Sequence, residues 1–254
     1  MMKKLRRTII RMATKAGEGH IPSALSILDI IWVLYDRIMR TNPNFPKDGD
    51  RDRFILSKGH GSLALYSVLA EKGFFPVDEL STFAKYDSRL GGHPDCNKVP
   101  GVEASTGSLG HGFPLGVGMA LGMRLSKNKR HVYVLVGDAE CNEGSIWEAA
   151  LLAAHHKLSN ITCIIDYNHS TDRALELGNL EAKFLSFGWH ALSVNGHDHN
   201  DLYDALVQTA NGRPKAIIAE TIKGFGCTLM ANNPAWHHCF PTEDELLGIL
   251  EELA

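Results

Sequence analysis

The chain has 254 residues, 44% hydrophobic and 22% charged, with a formal net charge of −3. That length and apolar content suit one substantial α/β core, and we expect a single domain over residues 1–254. The charge gives no reason to expect nucleic acid or an anionic membrane as partner, and no apolar run approaches the roughly 20 residues that span a bilayer.

The opening "MMKKLRRTIIRMATKAGEGH" spaces its basic residues at a helical period and lacks the apolar stretch of a secretory signal. It predicts a first helix over about residues 3–16, followed by a second over 24–40. A short strand "RFILS" and a helix "SLALYSVLAEKG" come next. The Gly- and Ala-rich "FPLGVGMALGMRLSK" predicts a helix packed closely on a neighbour. "HVYVLVGD", "NITCIIDYN", "WHALSVNGHD" and "PKAIIAETIKG" are short apolar, often β-branched runs closed by Gly, Asp or Asn, which predicts buried strands. The helical patterns "SIWEAALLAAHHKL", "LEAKFLSFG" and "NDLYDALVQTAN" alternate with them. Such alternation predicts βαβ units in an open, mostly parallel sheet with helices on both faces. A last helix begins at Thr242, where "TEDE" offers an N-cap and first-turn carboxylates. The longest irregular stretches, about 84–108 and 224–241, contain His93 and His237, and long loops in a compact domain tend to be functional.

Five cysteines, Cys96, Cys141, Cys163, Cys227 and Cys239, are odd in number and widely spaced, matching neither a zinc pattern nor a disulfide framework. A reducing cytoplasm is the expected setting. The thirteen histidines are the oddity of the composition, because several sit in glycine turns: Gly19-His20, Gly59-His60-Gly61, Gly92-His93, Gly110-His111-Gly112 and Gly196-His197. Such turns bring side chains and bare backbone to a site at close range.

In an open parallel sheet, ligands sit beyond the carboxyl ends of the strands. Asp138 lies at one such end, and Asn168, one crossover later, lies at another. Asp and Asn oxygens with a backbone carbonyl from the following loop make a ligand set for a hard cation. Mg²⁺ or Ca²⁺ suits it, and Mg²⁺ completes its octahedron with water and ligand phosphates. Glu140 reads as a solvated loop residue, and Glu143 and Glu148 as carboxylates at the start of a helix, favoured there by its dipole.

"GDAECNEGSIWEA" followed by "DYN" resembles the thiamine-diphosphate motif, and the remaining segments resemble transketolase more narrowly. These are "GEGHIPSALS", "ILSKGHGSLALYSVL", "GGHPD", "PGVEASTGSLGHGFPLGVGMALG", "VNGHD", "TIKGFG" and "NNPAWH", in family order from about residue 5 to 240. The resemblance implies that Asp138, Asn168 and the Ser170 carbonyl hold Mg²⁺, with Ca²⁺ or Mn²⁺ as alternatives, and that Ala139 and His60 approach the diphosphate. It implies that Gly107, Ser108 and Leu109 line the aminopyrimidine, and it adds Glu143 and His237 to the cofactor-binding set. His20, His60, His93 and His237 would surround the reactive carbon and the sugar hydroxyls. Histidine titrates near neutrality and can both accept and return the protons of ketol transfer. His111, His155, His156, His190 and His238 are expected to be structural. Two departures stand out: Ala139 replaces the motif's usual second glycine, and "NHSTDRALEL" replaces the usual "IDG" pattern after Asn168.

The resemblance extends only to the first, diphosphate-binding portion of a transketolase. The expectation is therefore the N-terminal subunit of a split enzyme, cytoplasmic and self-associating as a dimer. With a separate C-terminal, pyrimidine-binding subunit it would form a two-plus-two heterotetramer acting on sugar substrates. Alternatives that share the cofactor motif are a half-enzyme like 1-deoxyxylulose-phosphate synthase, one like the dehydrogenase E1α subunits, and a non-catalytic regulatory subunit. The histidine set and "STGSLGHG" favour transketolase over the dehydrogenase reading.

Overall fold

The computed structural model describes residues 1–172 and 175–254. Five parallel strands form its sheet: β1 (Arg53–Leu56), β2 (Val132–Gly137), β3 (Ile161–Tyr167), β4 (His190–Asn195) and β5 (Lys215–Glu220). Their order is β1-β2-β3-β5-β4, so the chain steps outward through β4 and then returns to insert β5 between β3 and β4.

Helices cover both faces, as the alternating pattern requires. One face carries α4 (Gly112–Leu125), α5 (Gly144–His155) and α6 (Leu180–Ser186), packed on Ile55, Val132, Val134, Val136, Cys163 and Ile165. The other face carries α1 (Met2–Ala16), α2 (Ile21–Val33), α3 (Ser62–Glu71), α7 (His199–Val207) and α8 (Glu243–Glu252), over Phe54, Leu56, Tyr133, Leu135, Ile164 and Ile217. Successive strand residues therefore feed opposite cores, the period-two rule of a sheet buried on both sides. The close packing expected of α4 is present. A Cβ on Gly116 would stand 2.4 Å from Val134 Cγ2, so only glycine lets this helix lie on β2.

Three sequence expectations are corrected. The second helix starts at Ile21 rather than residue 24, because Pro22 in its first turn needs no hydrogen-bond partner for the N–H it lacks. It gives way at Leu34 to one π-helical turn ending at Ile38. β4 is not a buried strand: it pairs only with β5, and Leu192 and Val194 are only partly buried at this edge. α7 stops at Val207, short of the full periodic segment. The expected Thr242 cap is realised as a capping box: Thr242 Oγ1 accepts from Glu245 N–H while the Glu245 carboxylate accepts from Thr242 N–H.

The loop after β3 leads to α6 on one face, whereas the chain after β5 leads toward α8 on the other. The crevice between these two neighbouring strand ends is where an open parallel sheet takes ligands.

Candidate active site

The register Gly137↔Asp166↔Ala219 holds the ends of β2, β3 and β5 level. Asp138 leaves β2 buried, with Oδ1 accepting from Ala139 N–H at 2.7 Å and Oδ2 from Ser170 N–H at 2.7 Å. Asn168 leaves β3, and its Nδ2 donates to Asp166 Oδ2 at 2.9 Å. That bond fixes the amide so that Oδ1 turns toward Ser170, whose N–H it accepts at 3.2 Å. Burial, reinforced by the charge of Asp166, pushes the Asp138 carboxyl above its ordinary pKa. A carboxylate held this way gains from a cation.

Asp138 and Asn168 thus bring two oxygen donors to one point, and they fit a hard cation. The Ser170 N–H bonded to Asp138 holds the following loop against the pair, and Ser170 lines the same cavity as Asp138 and Asn168. Among the described residues no cluster of three His, Cys, Asp or Glu side chains could hold a metal, which leaves the Asp–Asn pair as the candidate.

Beneath Asn168 lies an arrangement that sequence reasoning missed. Asp166 is fully buried and accepts from Lys58 Nζ, Ser26 Oγ, Thr221 Oγ1 and Asn168 Nδ2. Burial alone would raise its pKa, but the Lys58 charge and these donors outweigh it and hold the carboxyl low. The signal was an aspartate inside the apolar run "IIDY": a charge in a buried strand demands a partner. The partner is the lysine of "SKGH" at the end of β1.

The four candidate histidines line one cavity of about 480 Å³ together with Lys58, Gly107, Leu109, Asp138, Ala139, Asn168, Ser170 and Lys223. His20 caps α2, His60 sits in the tight turn Gly59–Gly61, His93 precedes the 106–110 loop, and His237 follows the turn Pro234–Trp236. The His20 ring centroid lies 5.3 Å from His60 and 5.4 Å from His237. Burial, then Lys58, lowers His60 to a pKa of about 2. Burial, then His237 and His238, lowers His20 to about 4. Burial, then Lys223, lowers His237. These three imidazoles are neutral near pH 7, able both to accept and to donate. His237 Nδ1 stands 2.9 Å from Lys223 Nζ; an ammonium can only donate, so the His237 proton resides on Nε2.

The loops around the cavity are set by close backbone approach. A Cβ on Gly59 would lie 2.9 Å from Gly107 N and from Thr106 C, so this turn and the 106–108 loop pack backbone to backbone. Thr106 Oγ1 ties the same loop to Leu56 O at 2.7 Å.

Several expected residues fall elsewhere. Ser108 and Glu143 are exposed and line none of this cavity; Glu143 is the N-cap of α5 but makes no side-chain cap bond. Glu140, read as solvated, is 1% exposed, and its carboxylate accepts from Ser57 Oγ, Gly110 N–H and Gly137 N–H. It joins three chain segments at the cavity wall. His238, expected to be structural, has its ring 4.9 Å from His20. His111, His155, His156 and His190 lie outside the cavity. Lys223, from "TIKGFG", was also missed; its Nζ is 3.2 Å from Ser170 Oγ. A lysine just past a strand end, before a glycine, was the available signal.

Comparison with known proteins adds four findings. The family model "Transketolase, thiamine diphosphate binding domain" matches residues 1–251. One of the subunits of the apulose-4-phosphate transketolase of Actinobacillus succinogenes is 42% identical over 258 residues, covering 99% of this chain and 94% of that protein. The 6-deoxy-6-sulfo-D-fructose transketolase subunit SqwG of a Clostridium species is 37% identical over 256 residues, covering 98% and 93%. Among solved structures, transketolase from Campylobacter jejuni superposes with a TM-score of 0.89 at 31% identity, covering 99% of this chain and 41% of that one. The chain thus spans less than half of the solved enzyme and nearly all of the two subunits.

Proposed function

The chain belongs to the transketolase family as its thiamine-diphosphate-binding domain, and from that premise we propose that it is the N-terminal subunit of a two-component transketolase. The reaction moves a two-carbon ketol unit from a ketose, a phosphate or a related anionic sugar, to an aldose. Near end-to-end similarity to two proteins named as transketolase subunits supports this reading over a synthase, dehydrogenase or regulatory half. The single observation that carries the chemistry is the cavity itself, in which the Asp138–Asn168 pair and four histidines face one space.

In this reading Asp138 and Asn168 hold Mg²⁺, and Lys223 adds positive charge where a diphosphate lies. When bound, thiamine diphosphate supplies the electron sink for cleaving the bond beside the donor carbonyl. The histidines manage protons. A neutral imidazole accepts the proton of a donor hydroxyl, and the same ring returns it to the acceptor oxygen. His20, close to His60, His237 and His238, is the natural centre of that exchange.

The partner is a separate pyrimidine-binding subunit, in a two-plus-two assembly. The outer face of α4 and α5 supports association, since Leu115, Leu151 and Leu152 are 48%, 53% and 46% exposed there. Five free cysteines support a reducing, cytoplasmic setting. The test is calorimetric titration of thiamine diphosphate with Mg²⁺ into Asp138→Ala. Mg²⁺-dependent binding is expected to vanish; affinity within a few-fold of wild type overturns the metal assignment. Hydrogen–deuterium exchange at the thiazolium C2 tests the split: it should be fast only when the partner subunit is added.

A further inference from the structure

Lys223 reaches the cavity from the turn Thr221–Phe225. Thr221 N–H donates to Tyr167 O at 3.0 Å, and the Lys223 carbonyl accepts from Asn232 N–H at 2.8 Å. Three more bonds tie the turn to the surrounding elements. Thr221 Oγ1 donates to Asp166, Gly224 N–H donates to Pro22 O at 3.0 Å, and between them Ile222 N–H donates to His197 Nε2 at 2.9 Å. His197 comes from the loop after β4. Because its Nε2 accepts a backbone N–H, its proton resides on Nδ1, which donates to Asp29 Oδ2 at 3.1 Å. Asp29 is 2% exposed on α2 and also receives Arg6 at 2.7 Å and His199 at 2.9 Å. Burial would push its carboxyl up, but the two histidine bonds and the Arg6 charge hold it at about 2, so it is ionised. The His197 ring stacks on Phe225, with centroids 3.6 Å apart and planes 15° from parallel, and Arg6 lies 5.1 Å over the same ring.

None of Arg6, Asp29, His197, His199 or Phe225 lines the cavity. The cluster nevertheless ends on the backbone of the residue next to Lys223. Ile222 is 37% exposed, so packing alone holds that residue weakly. We infer that Asp29 and His197 are positioning residues for Lys223: the Asp29–His197–Ile222 N–H chain fixes the turn so that the ammonium points into the cavity. This inference rests on the reading that the cavity receives a diphosphate. In that light the cluster holds a cation ready for the anion, sparing the cost of ordering a long flexible side chain on binding.

The test uses the full chain and five variants: His197→Phe, His197→Gln, Lys223→Met, the double variant His197→Phe with Lys223→Met, and Ile222→Pro. Phenylalanine keeps the stack on Phe225 but neither hydrogen bond; glutamine can still accept from Ile222 and donate to Asp29. Calorimetry gives Kd for Mg²⁺–thiamine diphosphate and for Mg²⁺–pyrophosphate. A lost charge-assisted contact should weaken Lys223→Met by about 10- to 100-fold for both ligands. His197→Phe should lose about tenfold and His197→Gln less than about threefold, and the double variant should be no weaker than Lys223→Met alone. Hydrogen exchange of the 219–225 segment should quicken in the variants that carry His197→Phe and stay slow in His197→Gln and Lys223→Met. Ile222→Pro removes the donated N–H without touching the buried cluster, and should lose as much as His197→Phe.

Equal loss from His197→Phe in both Lys223 backgrounds would mean general disruption and overturn the inference. So would wild-type affinity in His197→Phe and Ile222→Pro. Full binding by Lys223→Met, with Asp138→Ala still defective, would remove the Lys223 role alone. Full binding by both Lys223→Met and Asp138→Ala would remove the diphosphate reading itself.

Discussion

Glu140→Ala probes the joint at the cavity wall. The carboxylate serves three donors: Ser57 Oγ and Gly110 N–H on Oε1, and Gly137 N–H on Oε2. They come from the end of β1, the loop before α4, and the end of β2. Removing the acceptor strands buried donors, at about 1–3 kcal/mol each. Burial pushes the Glu140 pKa up, so deletion also relieves a desolvated carboxyl and offsets part of the loss. The net expectation is about 2–4 kcal/mol, which for a chain of this size lowers Tm by roughly 5–15 °C. Glu140→Gln should lose less, because its oxygen can keep both Oε1 bonds while only its NH₂ meets the Gly137 N–H. Thermal melts of the three proteins under one buffer decide the matter. A Glu140→Ala Tm within about 2 °C of wild type would show that these bonds do not join the segments.

Gly59→Ala should drive the His60 turn and the 106–108 loop apart, since the new methyl meets backbone at 2.9 Å; cofactor affinity should fall more than Tm, and unchanged affinity contradicts the packing argument. His237→Ala should cut donor cleavage by about 10²–10⁴-fold in the reconstituted complex with little change in melting, and near-normal turnover would misassign it. Stability should also fall as pH drops below the ordinary histidine pKa of 6.5. Burial holds His60 at about 2 and His131 at about 4, so over that range the unfolded chain binds protons the folded one refuses. The two together contribute a loss of about 3 kcal/mol between pH 6.5 and 5. Denaturant midpoints that stay flat or rise toward pH 5 would contradict this.

The fold was largely legible because strand runs such as "VYVLVG" and "TCIIDY" are apolar on both faces, which only a doubly covered parallel sheet satisfies. The edge position of β4 was hidden: its apolar residues look the same whether one neighbour or two will pair with it. Asp138 and Asn168 were legible as residue types at strand ends, and His20, His60 and His93 stood out in glycine turns, but the set of four with His237 came from the resemblance to transketolase. Glu140 was misread because its burial depends on donors from residues 57 and 110, far away in sequence. Lys58 and Asp166 were missed for the same reason, being 108 positions apart and paired only by the register of the sheet. The path at Ser170 was hidden in the unusual "NHSTDRALEL", and the structure ties that loop to Asp138 through the Ser170 N–H.

The strand order also constrains the sequence of events as the chain folds. β1, β2 and β3 can zip together in the order of their synthesis, but the far edge of β3 has no partner until β5 arrives. In between, β4 waits without its only neighbour. A nascent or refolding chain therefore passes through a stage with an open parallel edge, the kind of surface that recruits other chains. Asn168 leaves β3 and the Lys223 turn leaves β5, so ligand binding cannot precede that last insertion. Long-range parallel pairing is slow, and protection of the β1–β3 amides should appear well before the cavity can hold anything.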